Sequence, residues 1–206
     1  MILTCLSLGD SYTIGEGVAA IERWPSQLAS ELRKRGVDIA EPRIIAKTGW
    51  TTNELVGAID REGVHDSFDL VTLLIGVNNQ YRGRDPENYR VEFASLLRRA
   101  IHFAGGDARR VIVVSIPDWG VTPFAPGRDR ARIAAEIDAF NDVNREVTKQ
   151  AGARYADITP LSREGALMVV SDGLHPSAAM YARWTAAILP EAIAALSGGS
   201  AVSDVS

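Results

Sequence analysis

The sequence predicts an α/β protein: a three-layer α/β/α sandwich around a sheet of about five, mostly parallel strands. Apolar runs of strand length alternate five times with segments of helical period, an order that covers both faces of one sheet with helices. Two of these runs, residues 70–75 and 111–114, lack the alternation of a half-buried strand, which favours burial on both faces. With 206 residues, 46% of them hydrophobic, the chain is long enough to bury one substantial core.

The secondary-structure elements follow from these runs and from helix start and stop signals. The predicted strands cover residues 2–8, 38–46, 69–76, 110–116 and 154–158. The predicted helices cover residues 24–35, 51–62, 86–104, 128–151 and 176–196. Thr51 and Glu54 have the spacing of a capping box, and Pro86 suits a first helical position. Gly36 and Gly152 are natural helix stops.

One domain is expected over residues 1–197, because no linker or internal repeat divides this part of the chain. The last residues, 198–206, are small and polar, which predicts a disordered tail. The lone Cys5 excludes an internal disulfide, and its place in the first strand favours a buried, inert thiol.

Composition excludes several kinds of partner. Lys and Arg number 22 against 26 Asp and Glu, so the formal net charge is −4, and no basic cluster indicates nucleic-acid binding. No stretch approaches the roughly 18–20 apolar residues of a membrane span, and we expect a cytoplasmic protein. No paired histidines or clustered cysteines indicate a metal, and no cofactor is expected. The sequence does not indicate an oligomeric state.

Polar or small residues follow four of the predicted strands. Ser11 follows the first strand, Gly49 the second and Asn78 the third, while Asp172 and His175 lie in the loop after the fifth. In sheets of this kind, ligands bind beyond the carboxyl ends of the strands. All five residues therefore fall on the edge of the sheet where a binding site is expected.

These residue types match the requirements of acyl transfer. A serine hydroxyl is a weak nucleophile at neutral pH and needs a general base, for which His175 is the best candidate. The base needs a group that orients it, and Asp172 lies three residues earlier. Backbone N–H groups of Ser11 and Gly49, with the Asn78 side-chain amide, could donate to an oxyanion. Asn78 could instead cap the segment that follows it.

Four short blocks resemble those of the SGNH hydrolases, the GDSL-type esterase and lipase family. Gly-Asp-Ser-Tyr at 9–12 resembles the first block, and Gly49 the second. Gly-Val-Asn at 76–78 resembles the third, and Asp172 with His175 the last. The resemblance spans about residues 1–195 and implies the flavodoxin-like SGNH hydrolase fold with a Ser-His-Asp triad.

The function implied by this resemblance is that of a serine esterase acting on carboxylic esters. The short insertions favour short acyl chains or acetylated small molecules and sugars as substrates, with 117–127 the only sizeable extra loop. Two alternatives stay open. The first is an acyltransferase or transesterase that uses a sugar or alcohol as acceptor. The second is a non-catalytic binding module that keeps the fold.

Two positions depart from the common pattern, and two tryptophans lie near the predicted site. Asn79 stands where the family commonly has aspartate, so its role is open, and Tyr12 stands where leucine is common in lipase-like members. Trp50 and Trp119 either line the substrate pocket or serve ordinary packing. Asp10 is expected to fix the turn before Ser11 by accepting backbone hydrogen bonds.

Overall fold

A computed structural model describes residues 2–197. Its sheet contains β1 (Cys5–Gly9), β2 (Arg43–Ala46), β3 (Leu70–Leu74), β4 (Val111–Val114) and β5 (Arg154–Ala156). The strands lie in the order β2-β1-β3-β4-β5, and all four neighbouring pairs are parallel. The predicted five-stranded α/β fold is thereby confirmed. The segment 198–206, which was expected to be disordered, lies outside the described residues.

Eight helices connect and flank these strands within residues 2–197. They are α1 (Ser11–Ile14), α2 (Trp24–Lys34), α3 (Thr52–Glu62), α4 (Val77–Tyr81), α5 (Pro86–Phe103), α6 (Arg130–Ala151), α7 (Thr159–Glu164) and α8 (Ala178–Ser197). The five long helices were predicted to within about two residues. The three short ones, α1, α4 and α7, were not predicted, because segments of four to six residues are too short to show a helical period.

The strands are shorter than the apolar runs that predicted them. Every residue of β1, β3 and β4 is buried, which accounts for the apolar character of the central strands. The largest difference is in β2, which was predicted from residue 38. Pro42 has no N–H to give to a ladder, and before it only an isolated bridge between Ile39 and Leu3 continues the pairing.

The helices form two packed groups. Helices α2 and α8 pack against each other, whereas α5 packs against both α3 and α6. Together with the sheet, the two groups make the three layers of the sandwich. The largest fully buried side chains include Trp24 of α2, Trp184 of α8 and Phe93 of α5.

Helix α3 begins directly after the loop that contains Gly49. The Glu54 carboxylate accepts hydrogen bonds from both the backbone N–H and the hydroxyl of Thr51, at 2.8 and 2.9 Å. These bonds stabilise the first turn, as the spacing of the two residues predicted. The start of α3, and with it the end of the preceding loop, is therefore fixed.

None of the helices within the described residues combines the length and the apolar character that crossing a bilayer requires.

Candidate active site

A cavity of about 170 Å³ opens at the carboxyl edge of the sheet. Four of the five residues predicted for the site line it: Ser11, Gly49, Asn78 and His175. The fifth, Asp172, contacts the Nδ1 atom of His175. The structure therefore brings together residues that are separated by up to 164 positions in the sequence.

Ser11 lies in the sharp turn between β1 and α1. The Asp10 side chain caps α1 by accepting a hydrogen bond of 3.0 Å from the backbone N–H of Tyr12, the turn role expected for this aspartate. Ser11 is consequently the first residue of α1, where backbone N–H groups have no partner inside the helix. Ser11 is only 4% exposed, and it lines the cavity.

His175 and Asp172 form a closely bonded pair. The Nδ1 atom of His175 lies 2.6 Å from Oδ2 of Asp172, and a carboxylate at this distance accepts a proton carried by Nδ1. The other carboxylate oxygen, Oδ1, accepts from the backbone N–H groups of Leu174 and His175 at 2.7 and 3.0 Å. The carboxylate is thus held by three bonds, and the imidazole turns its Nε2 edge away from Asp172.

The environment keeps Asp172 ionised. Partial burial acts to raise the pKa of this carboxyl, but the hydrogen bonds from the His175 side chain and from two backbone N–H groups outweigh it and lower the pKa. The Asp172 side chain is 41% exposed, so its charge is also partly solvated. An ionised carboxylate next to Nδ1 stabilises a protonated imidazole.

The hydroxyl of Ser11 and the imidazole of His175 share the cavity, but no hydrogen bond joins them in the described part of the chain. Bonds of this kind are often loose in a protein without substrate and tighten only when substrate binds.

Gly49 occupies a tight turn that only glycine adopts without strain. Its φ is +85°, and the turn is closed by a bond of 3.2 Å from the backbone N–H of Trp50 to the carbonyl of Lys47. The guanidinium of Arg82 donates to the Gly49 carbonyl at 2.7 Å and also pairs with Glu54. Arg82 therefore ties this turn to the start of α3.

Arg82 was not predicted from the sequence. It lies four residues after Asn78, and its backbone N–H bonds to the Asn78 carbonyl, so the two residues are one helical turn apart. The signal that could have found it is this spacing, but the spacing is informative only if the short helix α4 is recognised first.

Asn78 is the second residue of α4, and its side chain points back across the site. The amide Nδ2 donates to the Trp50 carbonyl at 3.0 Å and has a longer contact of 3.5 Å with Oδ2 of Asp10. Asn78 therefore connects the Gly49 turn with the buried carboxylate beneath Ser11. Gly76, just before α4, has a φ of +126°, and a Cβ there would lie 2.3 Å from the Tyr89 hydroxyl.

Asn79, whose role the sequence left open, caps α3 from a neighbouring element. Its Oδ1 accepts from the backbone N–H of Thr52 at 3.1 Å, and its Nδ2 donates to the Thr52 hydroxyl at 2.8 Å. Glu92 of α5 contacts both residues, and Arg84 pairs with Glu92 at 3.7 Å. An amide suits this position because it both donates and accepts.

Aromatic side chains form one wall of the cavity. Tyr81, Trp119 and Phe124 pack together, with ring centroids 5.2 to 6.5 Å apart, and all three line the cavity. Trp119 thus lies in the pocket, one of the two roles left open for it. The side chain of Trp50 does not line this cavity and packs against the core instead. Tyr81 and Phe124 were not predicted.

A parallel sheet between two layers of helices, with Ser11 and His175 at one cavity on its carboxyl edge, is typical of a class of ester hydrolases. The model of the GDSL-like lipase/acylhydrolase family matches residues 7–183, and the chain belongs to this family. It is accordingly a carboxylic ester hydrolase. A search among curated proteins finds no match.

Solved structures show the same fold. The chain is similar to TesA, with 23% identity, a TM-score of 0.71 and coverage of 91% of this chain and 97% of that one. A lipase/acylhydrolase from Enterococcus faecalis has 21% identity, a TM-score of 0.71 and coverage of 92% and 95%. Axe2, an acetylxylan esterase from Geobacillus stearothermophilus, has 17% identity, a TM-score of 0.72 and coverage of 92% and 94%.

Asp10 has the opposite electrostatic environment to Asp172. It is fully buried, and this burial raises the pKa of its carboxyl from 3.8 to about 7, although the hydrogen bond from the Tyr12 N–H acts to lower it. The folded protein therefore keeps a proton on Asp10 over a pH range in which the unfolded chain has released it.

This difference predicts a pH-dependent stability. Between about pH 4 and pH 7 the free energy of unfolding should fall by ~1.4 kcal/mol per pH unit through Asp10, since the unfolded state binds fewer protons. Above that range both states are ionised and the contribution stays lost. Asp10→Asn keeps an acceptor for Tyr12 but cannot ionise. In urea unfolding, the free energy of unfolding of wild type should fall by a few kcal/mol through Asp10 between pH 5 and pH 8. The variant should not show this loss.

The matched control is Asp66→Asn, which replaces an exposed carboxylate and should leave the pH dependence of wild type in place. If Asp10→Asn and wild type change in parallel between pH 5 and pH 8, Asp10 does not hold the extra proton.

Proposed function

We propose that this protein is a serine esterase that cleaves carboxylic esters of short acyl groups through an acyl-enzyme. The observation that carries the proposal is the meeting of Ser11 and the Asp172-bonded His175 at one cavity. A nucleophile, a base and a group that orients the base are the three parts such a mechanism requires.

In the acylation step, Ser11 Oγ attacks the ester carbonyl carbon while His175 Nε2 takes the hydroxyl proton. The bond from Nδ1 to Asp172 supports this assignment, because it leaves the lone pair on Nε2. The tetrahedral intermediate collapses, the C–O bond to the alcohol breaks, and His175 returns the proton to the leaving alkoxide. Asp172 stays ionised throughout and stabilises the imidazolium.

The negative charge of the intermediate needs hydrogen-bond donors at fixed positions. We assign this role to the backbone N–H groups of Ser11 and Gly49 and to the side-chain amide of Asn78. All three residues line the cavity, and each is held by contacts outside the cavity: the Asp10 cap at Ser11, the Arg82 bond at Gly49 and the Trp50 carbonyl at Asn78. Donors fixed in advance need no reorganisation during the reaction, which is what makes them effective.

Water is the proposed acceptor of the acyl group. The outer wall of the cavity is solvent-exposed, with Tyr81 at 46% and Phe124 at 37% exposure, so water reaches the acyl-enzyme. His175 then takes a proton from water, the hydroxide attacks the acyl carbon, and Ser11 leaves with the proton. Transfer to an added alcohol would use the same intermediate and would appear as a new ester among the products.

The size of the cavity supports small acyl groups. A volume of about 170 Å³ shared between the acyl and alcohol parts leaves little room for a long chain. The similar fold of Axe2, which is named an acetylxylan esterase, agrees with acetylated substrates. We therefore place acetyl and other short acyl esters, including acetylated sugars, first among the substrates.

Replacing the nucleophile tests the mechanism. Ser11→Ala should abolish the hydrolysis of p-nitrophenyl acetate, measured as release of p-nitrophenol, because the acyl-enzyme cannot form. Ser95→Ala, which changes an exposed serine of α5, is the control and should retain wild-type kcat/KM. Turnover by Ser11→Ala at the wild-type rate would exclude Ser11 as the nucleophile.

Replacing the side-chain donor tests the proposed oxyanion site. Asn78→Ala should lower kcat by about 10²–10³-fold, which corresponds to ~2.7–4 kcal/mol of lost transition-state stabilisation, with a small change in KM. Asn88→Ala, at an exposed asparagine of α5, is the matched control. A kcat within twofold of wild type would mean that Asn78 serves only its bond to the Trp50 carbonyl.

A further inference from the structure

A second, smaller cavity lies next to the first. It has a volume of about 20 Å³, room for about one water molecule. Three residues line both cavities: Tyr12, Trp119 and Leu174. These three side chains, which we call the partition, therefore separate the two spaces.

The second cavity offers an apolar environment. Met168, Met180 and Trp184 form much of its wall. The side-chain oxygens of three polar residues in the wall are already bonded to protein groups. Asp118 accepts from the Gly120 N–H and from Arg163, Ser162 donates to the Thr159 carbonyl, and Thr122 donates to the Trp119 carbonyl. Such a space suits a hydrocarbon chain better than a polar group.

Tyr12 is the member of the partition nearest the chemistry. The residue is 3% exposed, and its ring packs against the rings of His175 and Trp184, at centroid distances of 5.5 and 6.0 Å. Tyr12 follows Ser11 directly and lines both cavities, so it separates them beside the nucleophile. A smaller side chain at this position would leave the two cavities joined.

We propose that the Tyr12 ring limits the length of the acyl chain by closing the ester pocket against the second cavity. The inference rests on the proposed esterase function and adds a specificity-determining residue to it. With the ring in place, the acyl group must fit the first cavity. Without it, a chain of several methylenes can extend between Trp119 and Leu174 toward the methionine side chains, which are flexible enough to make room.

The test is a series of p-nitrophenyl esters from acetate to octanoate with purified wild type, Tyr12→Leu and Tyr12→Phe. The measured quantity is the ratio of kcat/KM for hexanoate to that for acetate, because a loss common to both esters cancels in the ratio. Tyr12→Leu should raise this ratio at least tenfold, the effect expected when methylenes gain an apolar site. Tyr12→Phe keeps the ring and should keep the wild-type ratio.

A change on the far side of the partition provides an independent measurement. Met168→Ala enlarges the second cavity only, so it should leave the wild-type ratio within twofold. Combined with Tyr12→Leu, it should move the preferred ester to a longer chain than Tyr12→Leu alone. If Tyr12→Leu does not fold, as judged by circular dichroism and thermal melting, Leu174→Ala opens the same partition and should raise the ratio instead.

Two results would overturn the inference while leaving the esterase proposal intact. The first is an unchanged ratio in a folded partition variant whose acetate hydrolysis still depends on Ser11. The second comes from a companion series of acetate esters whose alcohols differ in length. If the partition variants change kcat/KM only in this series, the alcohol, and not the acyl chain, lies against Tyr12. Failure of the esterase proposal itself would appear differently, as acetate hydrolysis by Ser11→Ala at the wild-type rate.

Discussion

The parallel pairing of β1 with both of its neighbours is the constraint on which the site depends. Gly9 pairs with Ala46 of β2 on one side and with Leu74 of β3 on the other, so the three strands end at the same level. Ser11, Gly49 and Asn78 follow these ends within a few residues. Three segments distant in the sequence therefore deliver a hydroxyl, a backbone N–H and an amide to one place, without a long loop.

The contacts around the site hold these groups in a fixed arrangement. Arg82 binds the Gly49 carbonyl, Asn78 binds the Trp50 carbonyl, and Asn79 caps α3. All three come from α4 or the residue after it, so one short helix fixes the loop between β2 and α3. The two carboxylates near the site are placed in opposite environments: burial raises the pKa of Asp10, while hydrogen bonds lower that of Asp172.

Much of this arrangement could be predicted from the sequence, for a physical reason. Strands buried on both faces leave an apolar signature, and the rule that ligands bind at the carboxyl edge then selects Ser11, Gly49, Asn78 and His175. Asp172 was within reach because it is only three residues from its partner. The family resemblance added that these residues lie in four blocks that follow one another in the family's order.

Other parts depend on tertiary contacts that leave no periodic signal. The roles of Arg82 and Asn79 arise only once α4 lies against the start of α3. Arg82 is not unusual by type, and the departure of Asn79 from the family pattern does not show which groups it binds. The partition that contains Tyr12 and Leu174 depends on side-chain packing between α1, α8 and the loop after β5, which no spacing encodes. The predicted length of β2 was wrong because Pro42 has no N–H for the ladder, and only an isolated bridge continues the pairing before it.

The central claim is that Ser11 is a nucleophile activated by the Asp172–His175 pair. The most direct measurement is labelling of the native protein with a fluorophosphonate, followed by intact mass and peptide mapping, with Asp172→Asn labelled in parallel. We predict a single adduct on Ser11 in the wild type and labelling slower by at least a factor of ten in Asp172→Asn, because the imidazole loses its orienting carboxylate. An unlabelled Ser11, or equal labelling rates in the two proteins, would contradict the account.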